Sequence, residues 1–173
     1  MTLEQLESGL SKYIPKEAVP AIARMVMESK VHLKITRSRS SKLGDYRPPF
    51  QGKGHRITVN HNLNQYAFMV TLVHELAHLQ AWNKYQFSVK PHGQEWKVEF
   101  QKLMLPFMQL KIFPSDIQHA LAHYMTNPAA ASCSSPDLTK ALAAYDDDPK
   151  IFLEHIPEGT VFGLDNGMLM QKG

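Results

Sequence analysis

The segment His74-Glu75-Leu76-Ala77-His78 sets two imidazoles four residues apart, with a carboxylate beside the first. On a helix, residues at that interval lie one above the other. Both rings can then reach one ion, while Glu75 is turned around the axis towards the ion's open side. The chemistry that asks for this set is metal-assisted hydrolysis, in which zinc lowers the pKa of its bound water to about 7. Glu75 would take the water's proton during attack on a carbonyl and pass it to the leaving nitrogen. Zn2+ is the expected cofactor, and an enzyme is the first reading.

The surrounding pattern is that of a helix. From Asn64 to Lys84 there is no Pro or Gly, and Phe68, Leu72, Leu76 and Leu79 recur at three- and four-residue steps, with Val70 and Val73 beside them. Two histidines do not complete a tetrahedral catalytic site, which needs a third protein ligand and a place for water. The longer motif with a third His six residues on is not met, because Lys84 stands there. The candidates lie in His92-Gly93-Gln94-Glu95-Trp96 and just beyond. Pro91 pre-sets an extended entry, and a second helix is expected from near His92 to about Leu105, interrupted or ended by Pro106. His92, Trp96, Glu99, Phe100 and Leu103 would share its face and bring either His92 or Glu99 to the metal. Spacing prefers His92, and Gly93 lets two backbones approach closely. Glu95 and Glu99 stay open as alternatives or as partners for the far nitrogen of a ligand ring. For Glu99 an ordinary exposed position is the plain alternative.

The stretch TLVHELAHLQAW followed by KPHGQEW resembles the SprT family of zinc metallopeptidases, relatives of the Spartan proteases. In that family a third histidine in an H-G-x-E-[FW] segment joins the first two, so the resemblance implies His74, His78 and His92 as metal ligands and Glu75 as the catalytic residue. Arg56-Ile57-Thr58-Val59-Asn60 is similar to the family's I-x-x-N segment, and the likeness covers about residues 1 to 125. It departs at the C-terminus, where many relatives carry a zinc ribbon with four cysteines. This chain has one, Cys133, in a small-residue connector, and a lone thiol cannot hold such a site.

The elements that must position the site follow from periodicity. Leu3, Leu6 and Leu10 suggest a short helix, and Pro15 to Ser29 a second, with Val19, Ile22, Ala23 and Val26 inward. Val31 to Thr36 alternates as a strand, Tyr46 before Pro48-Pro49 suggests another, and Ile57 and Val59 mark a third over 55–60. A helix is expected from Ser115 to Met125, where His119 and His123 stand four apart but are read as surface or packing residues. The expected fold is an α+β zincin-like domain over 1–126, with a three-stranded sheet, an active-site helix and a crossing helix carrying the third ligand. Residues 127–173 are read as a connector with a helix near Thr139 and a small β-rich extension, the remnant of a ribbon or an unrelated sheet. Its strands are expected at 151–156, 160–164 and 168–170, with Asn166-Gly167 turning a hairpin.

At 173 residues and 43% apolar composition the chain can bury a core without disulfide support. No apolar segment is long enough for a membrane span and no basic-then-apolar leader opens the chain, so a cytoplasmic protein with no membrane partner is expected. The net charge of +3 is unevenly placed. Residues 31 to 60 carry seven cations, Arg37, Arg39 and Lys42 among them, against Asp45, whereas 127 to 173 hold seven acids against three lysines. The basic stripe makes Arg37, Arg39 and Lys42 candidate contacts to non-specific DNA, with a mobile solvated loop as the plain alternative. Spartan-like relatives act on proteins attached to DNA, which the resemblance extends to this chain as an expectation. Sequence-specific reading of DNA is unsupported. For a protein or peptide substrate, the strand at Gly44-Asp45-Tyr46-Arg47 could offer a backbone edge, with His55, Tyr46 or Tyr85 near a developing oxyanion. Trp82 and Trp96 are expected to pack beside the metal. The rival reading is a zinc-stabilised, nucleic-acid-associated binding protein without turnover.

Overall fold

A helix that is apolar around almost its whole circumference must be enclosed, and this requirement organises the chain. The computed structural model describes residues 2–129, 135–148, 152–164 and 167–173. Its elements are α1 (Leu3–Leu10), α2 (Val19–Glu28), β1 (His32–Thr36), β2 (Gly44–Arg47), β3 (Arg56–Asn60), α3 (Gln65–Tyr85), α4 (Gln94–Gln109), α5 (Ser115–Met125), α6 (Pro136–Ala143), β4 (Val161–Gly163) and β5 (Leu169–Gln171). Cys133 and Asn166 lie outside the described residues.

α3 is the enclosed helix. Asn64 caps it, its side-chain oxygen accepting from the backbone N–H groups of Tyr66 and Ala67 at 3.1 and 3.0 Å. The amide nitrogen of the same side chain donates to the Leu142 carbonyl at 2.8 Å, tying the start of α3 to α6. Phe68, Leu72, Leu76 and Leu79 are buried as their spacing predicts, and so are Met69, Val70 and Val73 on the other flank. One flank meets the sheet and the other meets α4, whose Trp96, Phe100, Met104 and Phe107 are fully buried.

The sheet has the order β1-β3-β2, with β1 parallel and β2 antiparallel to β3. Ile57 and Val59 point from the central strand into the core. β2 is therefore an edge, with one side of its backbone unpaired within the sheet. Leu138 and Leu142 of α6 join the same core, so the first helix after residue 127 packs with the elements before it. β4 and β5 form the expected antiparallel hairpin, Gly167 taking the left-handed backbone of its turn at φ 83°.

Three expectations are corrected. Pro106 neither ends nor breaks α4, which continues to Gln109; it forfeits one helical hydrogen bond, and burial of Met104 and Phe107 on either side carries the helix through. His92 is not on that helix, which starts at Gln94 after Gly93 as N-cap. The 151–156 strand is not formed over its described part, where Leu153–His155 is a 3-10 turn. Its carbonyls at Glu154 and Ile156 accept from the Lys172 ammonium at 3.3 and 2.5 Å instead of from a neighbouring strand.

Because Phe68 is fully buried and stacked on Tyr13 at 5.1 Å, Phe68→Ala should cost about 3–5 kcal/mol. Phe87→Ala, at a side chain 82% exposed, should stay within about 0.5 kcal/mol of wild type. Urea unfolding midpoints of the two variants check both values.

Candidate metal centre

The α3 backbone places His74 and His78 on one face, and the third imidazole reaches them from a turn. Gly93 N–H donates to the Lys90 carbonyl at 2.9 Å, closing residues 90–93 into that turn, and His92 sits in it at φ 59°. A left-handed backbone costs a non-glycine residue of order 1–3 kcal/mol and persists only where its surroundings enforce it. Here it aims the ring back across α3. The His92 Nε2 lies 3.1 Å from His74 Nε2 and 2.8 Å from His78 Nε2. Among the described residues these three form the one group of ligating side chains close enough to share an ion. His119 and His123 are not part of it.

The donor set fits zinc. Bonds of about 2.0–2.1 Å at tetrahedral angles would separate ligand nitrogens by about 3.3 Å, close to the spacing found. Burial and mutual proximity push His74 and His78 down to about 3, and burial lowers His92 as well. All three are thus neutral near pH 7, the state that offers a lone pair to a metal. Trp96 locks the arrangement from below: its indole N–H donates to the His74 carbonyl at 3.3 Å and its ring packs 4.6 Å from the His74 ring. Phe100 stacks on Trp96 at 5.3 Å and meets the His74 ring edge-on at 6.0 Å.

The carboxylates of α4 go elsewhere. Glu99 is buried and pairs with the Lys84 ammonium at 2.7 Å, with Lys102 at 3.6 Å. It is neither a ligand nor an exposed residue, and it explains why a lysine stands where the longer motif has a histidine. The Glu95 carboxylate lies over Gly93, where a Cβ would come within 3.0 Å of it.

Glu75 is buried beside the cluster, its carboxylate on the wall of a cleft of about 550 Å³ lined by β2, α3 and the 86–92 connection. Burial pushes its carboxyl up to about 8, and Asp45 adds to this, against the Tyr46 backbone N–H, Arg39 and Lys42, which favour the charged form. β2 reaches the carboxylate only because residue 44 has no side chain. A Cβ on Gly44 would sit 2.6 Å from Glu75 Oε1 and 2.8 Å from Thr71 Cγ2. The preceding loop is pinned by Asn60, which is 1% exposed. Its amide donates to the carbonyls of Arg39 and Lys42 at 3.1 and 2.9 Å, and its oxygen accepts from Arg39 Nε at 2.9 Å.

The three cations of the basic stripe have different surroundings. Arg39 is engaged with Asn60 and with Thr58 Oγ1 at 3.1 Å, Lys42 pairs with Asp45 at 2.8 Å, and Arg37 is exposed on the loop between β1 and β2. Of the residues considered for an oxyanion, Tyr46 lines the cleft, donates to or accepts from His55 Nδ1 at 2.9 Å and lies parallel to the His78 ring. From sequence, Gly44 is expected only as part of a substrate edge, Arg39 as a contact to DNA and Asn60 within a family-like segment; the approach of Gly44 to Glu75 and the Arg39–Asn60 clamp are what sequence reasoning missed. A glycine in a short strand is a signal of close backbone approach, and it was available. The clamp spans 21 positions and left no local trace.

The α+β fold with an HExxH helix and a third histidine from the turn that leads into the next helix defines the zincin-like class. The chain belongs to the SprT-like family, whose model matches residues 21–123. No curated protein and no solved structure gives a significant match. The family match spans α2 through nearly all of α5 and so includes every residue of the cluster.

Gly44→Ala should separate metal binding from positioning of the carboxylate. Zinc content measured by atomic absorption is expected to stay at one per chain, while any Glu75-dependent activity falls by up to about 10²-fold, the scale for a displacement of an ångström at a reacting group.

Proposed function

We propose that the protein is a zinc-dependent endopeptidase. The observation that carries the proposal is the convergence of three neutral imidazole nitrogens beside a buried carboxylate that faces an open cleft. The residues present fit the ion, and His74, His78 and His92 would hold it. When bound, zinc supplies a Lewis acid that polarises a carbonyl and makes water acidic enough to attack near pH 7.

Glu75 takes the proton of the attacking water as its oxygen joins the carbonyl carbon, and delivers that proton to the nitrogen as the C–N bond breaks. The Tyr46 backbone N–H holds the carboxylate in place for both transfers. Tyr46 itself, with its hydroxyl oriented by His55, is the cleft residue best supported as a donor to the developing oxyanion. The edge of β2 that is unpaired within the sheet, where the Tyr46 N–H already serves Glu75, receives an extended segment of substrate through its remaining main-chain groups, which requires no particular sequence. The substrate class is then unfolded or locally extended protein. Proteins bound to DNA extend the same proposal through exposed Arg37 and the neighbouring cations, while Arg39 is better supported as a clamp on Asn60.

The test compares wild type with Glu75→Gln, both carrying one zinc per chain, on a denatured protein substrate with and without single-stranded DNA. Cleavage should fall about 10²–10⁴-fold in the variant. Equal cleavage would remove Glu75 from the reaction. A wild type that holds zinc and cleaves nothing under either condition would leave the non-catalytic binding protein as the account.

A further inference from the structure

The cleft continues past the histidines into an aromatic corner whose Trp82 and Phe87 the chemistry does not use. Trp82 lies one helical turn beyond His78 on α3 and lines the cleft together with Ala81, Phe87 and Val89. Its ring meets His55 edge-on at 5.2 Å and Phe87 at 6.3 Å with the planes at 90°. Phe87 is 82% exposed, in the 3-10 turn Gln86–Ser88 that leads towards His92. Gln86, which starts that turn, has a φ of 50°. The exposed Phe87 ring, set by the left-handed Gln86 before it, stands beside Trp82 on the cleft wall, so the two rings together offer an apolar surface that a side chain lying in the cleft can cover.

The corner has a fixed place relative to the metal cluster. β2 and α3 run in the same direction: Gly44 packs on Thr71 and Glu75, Tyr46 faces His78, and His55, bonded to Tyr46, faces Trp82. A polypeptide added to the free edge of β2 in antiparallel sense, the more stable pairing, runs the opposite way, so its N-terminal part lies at Trp82. One helical turn is about 5.4 Å, and an extended chain advances about 3.4 Å per residue. The side chain that reaches the corner therefore sits within about two residues of the bond held at the histidines.

We propose that Trp82 and Phe87, with His55 supporting the Trp82 ring from its edge, form a subsite for a large apolar side chain, aromatic or branched aliphatic, one or two residues N-terminal to the scissile bond. The inference rests on the peptidase reading and deepens it: main-chain pairing at β2 supplies tolerance of sequence, and this corner supplies the one preference. Unfolded protein is where such side chains become accessible, so the subsite favours segments that a folded substrate would hide.

Binding and cleavage are tested separately. Zinc-loaded Glu75→Gln is titrated calorimetrically with ten-residue peptides of Gly, Ser and Thr that carry a single central Phe, Leu, Ala or Asp. The Phe and Leu peptides should bind at least about tenfold more tightly than the Ala and Asp peptides. That preference should shrink to within about threefold when Phe87→Ala or Trp82→Leu is added, with the zinc content unchanged. Equal binding of all four peptides, binding of none, or a preference that survives both substitutions would overturn the subsite. Wild-type products identified by mass spectrometry should end at the Phe or one residue after it, and cuts on its N-terminal side would overturn the assigned direction. The preference in binding without any wild-type cleavage would uphold the subsite and sink the peptidase reading instead.

Discussion

Three imidazole lone pairs directed at one point, with a carboxylate beside them and protein on most sides, form an arrangement that water alone stabilises poorly. Burial keeps His74 and His78 unprotonated and drives Glu75 towards its neutral form, so the groups that gather here do so at a cost in solvation. A divalent cation turns each of those costs into an attraction, because lone pairs and a negative charge are what it requires. The rest of the structure is arranged to hold these groups together without it.

Each element answers part of that demand. α3 supplies two of the three imidazoles and the carboxylate at helical spacing, and its apolar circumference anchors it in the core. α4 holds Trp96 and Phe100 behind His74, so that the ring cannot swing away. The 90–93 turn spends backbone strain to aim His92, and the Lys84–Glu99 pair ties α3 to α4 close to that turn. On the other side, Asn60 and Arg39 set the loop that delivers Gly44 against Glu75. The edge strand and the carboxylate are thereby linked, and a change at Gly44 or Asn60 reaches Glu75 without touching any of the three histidines.

Much of this was legible in the chain because it depends on local periodicity. The buried helix, its Asn64 cap and the three strands follow from apolar spacing and turn residues, and the pairing of His74 with His78 needs only the helix itself. His92 was reachable on spacing together with the resemblance to a family. Its left-handed backbone was not, because a histidine at positive φ carries no mark in the sequence of the kind a glycine would. Glu99 could not be assigned from its own neighbourhood, since the lysine that pairs with it lies 15 positions away. The 151–156 segment looked like a strand because apolar residues recur in it, yet Lys172 satisfies its carbonyls from far along the chain. Long-range polar partners were the common element in what escaped.

The most direct test of the account is zinc-edge anomalous diffraction from crystals of the stoichiometrically loaded protein. The account predicts a single peak within about 2.0–2.1 Å of the Nε2 atoms of His74, His78 and His92, with one position open to the cleft and Glu75 facing it. A peak that leaves His92 out, or one closed by a fourth protein side chain, would contradict it.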